Sequence, residues 1–361
     1  MPLEVPTICP GSPDLPRISE QAGTFYLAPP LRHTRDRLYV ALGDAGWRIH
    51  FPADGVLAVE VEPEGLHRLL PALAAEMSDP EMDAAPAMFM EEGEAFGPAS
   101  LFQARALSVW SSRAEHAWLL QLIQDEQVRI HYQPIVPAGE VGTAFAHECL
   151  VRGVDAHGQT VSPGRLFKAA ELAELEFHLD RLARVAAIRD SYSLGIDTPL
   201  FINFRPTAIY DPAFCLRTTV GAAERLGVDP QRIVFEVVES EAVSDHAHLR
   251  HIVDEYRRGG FRIALDDLGA GYGSLNRLKD LEPDFVKIDR ELIRQVHANP
   301  GQRTIVAAIL GMARDLGITT VAEGVEEREE YEWLLQAGAD LLQGFYFARP
   351  ASPPPALGSR A

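Results

Sequence analysis

RIALDDLG, residues 262–269, is a short apolar run that ends on two adjacent aspartates and opens into the glycine-rich AGYG. Such a run has the composition of a strand buried on both faces. Two neighbouring carboxylates at its end cannot both be accommodated in an apolar core. The same form recurs along the chain: Glu148 in AHECLVRG, Glu236 and Glu239 in VFEVVES, Lys287 in FVKID and Glu323 in VAEGVE. Burying that many carboxylates together is prohibitive unless cations hold them there. The pattern therefore predicts a divalent-metal site at the C-terminal mouth of a parallel barrel, with oxygen ligands that suit Mg²⁺ or Mn²⁺.

Working outward, the period is regular from residue 127. Candidate strands are VRIHYQPIV, AFAHECLVR, LFINFRP, IVFEVVES, RIALDDLG, DFVKIDR, TTVAEGV and LLQGFYFA, most of them separated by helical segments such as FHLDRLARVAAIRD and RTIVAAILGMARDLG. Eight strands over about 220 residues, alternating with helices, is the signature of a TIM-type (β/α)8 barrel. A doubly wound open sheet is the competing architecture, but it concentrates its site at one switch point, whereas here acids occur on nearly every strand. Upstream, TFYLAP, HTRDRLYVALGDAG, WRIHFP, GVLAVEVE and EGLHRLLPALAAEM give a β-α-β-β-α order. The expected organisation is an irregular arm over 1–23, a small α/β domain over 24–104, a helical linker over 105–126, the barrel over 127–350 and a disordered tail over 351–361. Within the small domain, the acidic SDPEMDAAPAMFMEEGEAFGP reads as loop.

An apolar fraction of 47% is ample for a core, and a net charge of −19 argues against a DNA or RNA polymer held by a broad basic surface. A small phosphate ligand is still admissible, because metal ions invert the field locally. Cys9, Cys149 and Cys215 have neither disulfide nor metal-site spacing, which fits a reducing compartment. No run approaches a membrane span, and the N-terminus lacks a signal-peptide pattern. The expectation is a cytoplasmic protein.

Among individual residues, Glu148 lies mid-strand, where packing explains it poorly. Asn203, amid Phe201, Ile202 and Phe204, reads by itself as a satisfied core amide. Glu236 adds an oxygen donor, while Glu239 is open to two readings, a further oxygen donor or an anchor for the loop after Asp267. Lys287 among carboxylates neutralises charge and can orient a water or a phosphate oxygen. Glu323 has three open roles: second-metal ligand, orienter of the attacking water, or acceptor of its proton. Arg152 suits bidentate phosphate binding and Gln133 is a further substrate-contact candidate. His131 and His147 read as packing groups, and GAGYG lacks the Lys-Ser/Thr of a phosphate-binding P-loop.

HYQPIV, ECLVR, INF, FEVVES, DDLGAGYGSL, FVKID, VAEGVE and LLQGFYFA occur in an order and spacing that resembles the EAL-domain family, the phosphodiesterases of the bacterial second messenger cyclic di-GMP. The resemblance covers about two-thirds of the chain, roughly residues 118–350. It implies a modified TIM barrel whose first strand runs antiparallel to the rest, which corrects the all-parallel reading. It also implies hydrolysis of one phosphodiester bond to give linear pGpG with two divalent cations. Glu148, Asn203, Glu236 and Asp266 match ligands of the first cation; Asp266 and Asp267 match those of the second. Glu323 resembles the family's general base or second-metal group, Lys287 the lysine that holds the hydrolytic water, and Glu239 the glutamate that steadies the loop after the aspartate pair. Arg152, Gln133, Asp289 and Gln343 match positions tied to substrate or site architecture, and a homodimer through the barrel is implied. The alternative reading is a cyclic di-GMP receptor with little turnover. This chain departs from the family at Cys149, where the signature has alanine, and at Leu268 and Ala270, where it has Phe and Thr. Strand alternation turns Cys149 away from the mouth. The loop positions bear on control more than on metal binding. The 24–104 domain, as a sensory element, a dimerisation element or a docking site for a partner, lies outside the resemblance.

Overall fold

A computed structural model describes residues 15–16, 18–94, 98–206, 212–238, 246–269 and 274–358. The described residues form two compact units: one within 15–126 together with 164–176, and one within 127–163 together with 177–358. The segment 164–176 therefore belongs with the N-terminal unit, although it lies inside the sequence of the barrel.

The N-terminal unit contains β1 (Gly23–Leu27), α1 (Arg32–Asp44), β2 (Ile49–Ala53), β3 (Val56–Val61), α2 (Leu66–Ala75), α3 (Asp79–Asp83), β4 (Pro86–Glu91), β5 (Arg105–Ala106), α4 (Leu107–Glu115) and α5 (Ala117–Gln124). Its sheet has the order β2-β3-β1-β4-β5, and every pairing is antiparallel. Alternate residues Phe25, Leu27, Leu57, Val59 and Val61 face a core shared with Leu38, Leu42, Leu66, Leu69 and Leu73 of α1 and α2. The acidic stretch read as loop corrects to α3 and β4. Ala and Met have little intrinsic strand preference, so PAMFME carries a weak local signal. Pairing with all five residues of β1 overrides it, and Pro86 sits at the strand's first position, where its missing N–H is tolerated.

From residue 127 the chain forms β6 (Val128–Pro137), β7 (Ala146–Val154), the short β8 (Thr160–Val161), α6 (Pro163–Leu172), α7 (Glu176–Ser193), β9 (Leu200–Phe204), α8 (Pro212–Leu226), β10 (Ile233–Val238), α9 (His246–Arg258), β11 (Arg262–Leu268), α10 (Ser274–Leu281), β12 (Phe285–Ile288), α11 (Arg290–Ile293), α12 (Pro300–Leu316), β13 (Thr319–Ala322), α13 (Arg328–Ala337) and β14 (Leu341–Gln343), all in the barrel unit except α6, which groups with the N-terminal unit. Strands run in the order β6-β14-β13-β12-β11-β10-β9-β7, and β6 pairs with β7 to close an eight-stranded barrel, β8 lying at the edge of β7. From β7 and β9 to β14 neighbours are parallel, whereas β6 is antiparallel to both β7 and β14. The physical reason is connection length. Residues 138–145 are too few for a parallel crossover and suffice only for a hairpin. Ala351, expected to open a disordered tail, forms an antiparallel bridge with Tyr132. Among the described residues, no helix is long and apolar enough to cross a membrane.

One buried residue from each barrel strand forms the plug at its base: Ile135, Ala146, Phe201, Val234, Ala264, Phe285, Val321 and Leu341. The Phe201 and Phe285 rings meet edge to face at 5.0 Å between centroids. Phe201→Ala should cost about 3–5 kcal/mol, since eight strands fix the cavity and leave it little room to collapse. Denaturant unfolding of the full chain, followed by circular dichroism, checks this; a loss below about 1 kcal/mol would mean the plug repacks.

Candidate active site

Side chains alternate across a strand, so the residue two positions from each plug member faces the same interior. Taken toward the mouth, those residues are Gln133, Glu148, Asn203, Glu236, Asp266, Lys287, Glu323 and Gln343. Every one of the eight strands thus carries an apolar residue below and a polar one above. On the antiparallel β6 the order is reversed, with Gln133 before Ile135 and opposite Glu148 in register.

Lys287 is the hub of this ring. Its Nζ lies 2.6 Å from Glu236 Oε1, 2.6 Å from Glu323 Oε1, 3.3 Å from Asp266 Oδ1 and 3.6 Å from Glu148 Oε1. Neutral amides fill the gaps. Asn203 Nδ2 donates to Glu148 Oε1 (3.2 Å) and Glu236 Oε2 (2.8 Å), and Gln343 Nε2 donates to Glu148 Oε2 (2.7 Å). Glu236 and Lys287 are buried to within 1%. Burial pulls Lys287 down, but Asp266, Glu148, Glu236 and Glu323 together outweigh it and hold the ammonium well above its usual pKa. Burial also holds Glu236 and Glu323 well above the carboxylate range, against the pull of Lys287 and with the neighbouring carboxylates adding to it. One ammonium does not neutralise four carboxylates; the remainder takes up protons or cations.

The aspartate pair solves its own geometry. Leu265 pairs with Val286 and Leu268 with Ile288, so β11 advances three residues while β12 advances two. This bulge and the left-handed backbone of Asp267 (φ 56°) break the alternation that would send neighbours to opposite faces. Asp266 Oδ1 accepts the Asp267 N–H at 2.9 Å. Asp266, Asp267 and Glu323 each present an oxygen within 4.8 Å of the others. Burial, followed by the charges of Asp266 and Asp289, pushes Asp267 up to about 6.

Beside the ring lies a cavity of about 220 Å³, lined by Gln133, Glu148, Asp266, Lys287, Glu323 and Gln343, with Arg290, Glu326 and Phe345 added at the rim. Those three were not singled out from sequence; they lie one to three residues beyond Asp289, Glu323 and Gln343, where the chain leaves the strand and periodicity stops informing. Gly344 is required here: a Cβ would overlap the backbone of Val325, whose N–H donates to Gln343 O at 3.0 Å. A larger cavity, about 880 Å³, lies in the N-terminal unit, but its lining mixes Arg48 and Arg68 with Glu60 and Glu62 and has no convergent set of donors. His297, Glu327 and Glu330 also cluster, yet Glu330 is committed to the backbone N–H groups of Gln295, Glu326 and Glu327 as part of the α13 capping box.

Of the expected residues, Gln133, Glu148, Asn203, Glu236, Asp266, Asp267, Lys287, Glu323 and Gln343 converge. Arg152 is half-buried on the Glu148 face of β7, further toward the mouth, and donates to Val151 O. Asp289 caps α11, accepting from Glu291 N at 2.8 Å. Glu239 lies outside the described residues. Cys149 is buried on the face opposite Glu148, and burial first, then Glu236 and Glu148, pushes its thiol well up.

Residues 116–350 match the sequence model of the EAL domain. The chain belongs to the EAL-domain family. The probable cyclic di-GMP phosphodiesterase PdeG of Escherichia coli K12 is 32% identical over 241 residues, which are 65% of this chain and 46% of that protein. This EAL chain therefore spans less than half the length of that curated relative. A standalone EAL protein of Vibrio cholerae O395, solved in its c-di-GMP-bound form, is 37% identical with a TM-score of 0.59, over 64% of this chain and 96% of that one. BlrP1 of Klebsiella pneumoniae, solved as a manganese and cyclic di-GMP complex, is 24% identical with a TM-score of 0.57, over 91% and 96% of the two chains. The last likeness is one of fold, and its coverage extends into the N-terminal unit.

Because Lys287 is the ring's one ammonium, Lys287→Met should destabilise the chelator-treated protein by about 3–5 kcal/mol through uncompensated buried carboxylates. Added Mn²⁺ should recover much of that loss. Unfolding measured with EDTA and with Mn²⁺ checks both; an unchanged stability in EDTA would show that the carboxylates are already neutral.

Proposed function

We propose that this protein is a metal-dependent phosphodiesterase that hydrolyses one phosphodiester bond of cyclic di-GMP to linear pGpG. The observation that carries the reading is the ring of carboxylates whose charge exceeds the single ammonium of Lys287. The relatives named above support the substrate. All-oxygen donors fit Mg²⁺ or Mn²⁺. Glu148, Asn203, Glu236 and Asp266 would hold a first ion, and Asp266 with Asp267 a second. Asn203 now points Nδ2 at two carboxylates, so ligating through Oδ1 requires its amide to turn over. Bound ions would neutralise the ring and act as Lewis acids on the phosphate oxygens.

The chain's own groups supply the rest. Arg152, on the Glu148 face toward the mouth, binds a phosphate oxygen, fork to fork. Gln343 fixes the Glu148 carboxylate by hydrogen bonding, and Gln133 stands opposite Glu148 in register. Lys287, released from part of its carboxylate shell, donates to the attacking water and orients it in line with the leaving 3′ oxygen. Glu323 in its ionised form accepts the water's proton as the water oxygen bonds to phosphorus and the P–O3′ bond breaks, and the departing 3′ oxygen takes a proton from solvent water. By family resemblance Glu239, outside the described residues, would steady the loop that follows Asp267. The N-terminal unit then serves to sense a signal or to pair two chains.

Purified protein should convert cyclic di-GMP to pGpG with Mg²⁺ or Mn²⁺ and not with chelator, followed by chromatography. Glu148→Ala and Asp266→Asn should each lower kcat by about a thousandfold or more with the fold intact. Turnover in chelator, or near-normal rates in either variant, would sink the assignment. Binding without turnover would move the protein to the receptor class.

A further inference from the structure

Asp180 and Arg184, one turn apart on α7, are an ion pair within the barrel unit: Asp180 is 3% exposed and Arg184 fully buried. Arg184 Nε and Nη2 reach Asp180 Oδ2 at 2.9 and 2.8 Å, and Arg184 Nη1 donates to Thr219 Oγ1 of α8 at 2.9 Å. Stability does not account for such a pair, because apolar residues of the same volume serve as well or better once desolvation is counted. What apolar residues could not do is supply a further contact that Asp180 makes. Asp180 Oδ1 accepts the backbone N–H of Arg205 at 3.1 Å.

Arg205 is the first residue past β9, whose last ladder partner is Phe204, opposite Val237. Two residues earlier Asn203 spans the gap between Glu148 and Glu236. We infer that Asp180 is a positioning residue for the active site: by holding the Arg205 N–H it fixes the end of β9 and with it the reach of the Asn203 amide to Glu148 and Glu236. Burial raises the Asp180 pKa, Arg184 opposes that rise and aims the carboxylate, and Thr219 aims Arg184. The inference rests on the metal-site reading of the ring given above. Groups that orient metal ligands typically govern about 10–100-fold of metal affinity when removed.

Two paired substitutions separate this role from mere packing. Asp180→Leu with Arg184→Met removes the ion pair and the acceptor for Arg205. Asp180→Asn with Arg184→Met removes the ion pair but keeps an acceptor. Mn²⁺ affinity of the full chain is read by calorimetry, with thermal unfolding in EDTA as the measure of fold. The first pair should bind Mn²⁺ at least about tenfold more weakly than the native protein, and the second should return to within about threefold. Native-like binding by the first pair, or equal loss in both, overturns the inference. If the first pair does not fold, Arg205→Pro removes the same hydrogen bond from the donor side and must show the same loss; native-like Mn²⁺ binding there overturns it. Native protein that binds Mn²⁺ without hydrolysing cyclic di-GMP would defeat the proposed reaction and still leave the affinity comparison decisive.

Discussion

A single ammonium holds the upper half of this barrel together. Lys287 touches four carboxylates from β7, β10, β11 and β13, and those strands could not bring their acids to one level without it or a substitute cation. The arrangement is only possible because the layer below is dry and rigid. Each polar member stands two residues from an apolar plug member on the same strand, so the core's packing sets the position of the chemistry directly. Asn203 and Gln343 complete the ring as neutral donors that bridge carboxylates instead of adding charge. In a low dielectric, removing a member of such a network is costly.

The ring's membership was largely legible in the sequence because period two is the strongest signal a strand carries. Residues such as Glu148 and Lys287 stood out as charges at positions where packing demands an apolar side chain. Asn203 was the opposite case: a neutral amide among phenylalanines has an ordinary core explanation, and only its neighbours across the sheet distinguish it. The residues by themselves suggested an all-parallel barrel; the antiparallel course of β6 came from the family resemblance, and the short connection before Ala146 is its physical reason.

What escaped the sequence was tertiary in origin. The bulge at Asp266–Asp267 depends on register against β12, and no local pattern encodes it. The strand β4 owes its existence to β1, since its own Ala and Met residues express little preference. Asp289, a site candidate by resemblance, also accepts the Glu291 N–H at the start of α11, a capping role its position in the strand did not announce. Rim residues Arg290, Glu326 and Phe345 follow strand ends, where the alternation that exposed the others has already stopped.

The segment 164–176 has a consequence for how such a protein can be recombined. Within the N-terminal unit, Arg113 donates to Ala173 O and pairs with Glu174, Arg105 also reaches Glu174, and Arg165 lies over the Trp118 ring. A gene fusion that exchanged the unit at residue 126 would carry away the owners of those contacts and strand a helix whose Leu166, Ala169 and Ala170 are built to be covered. The two units are thus inherited as a matched set, and a new N-terminal module would have to bring a compatible α6 with it.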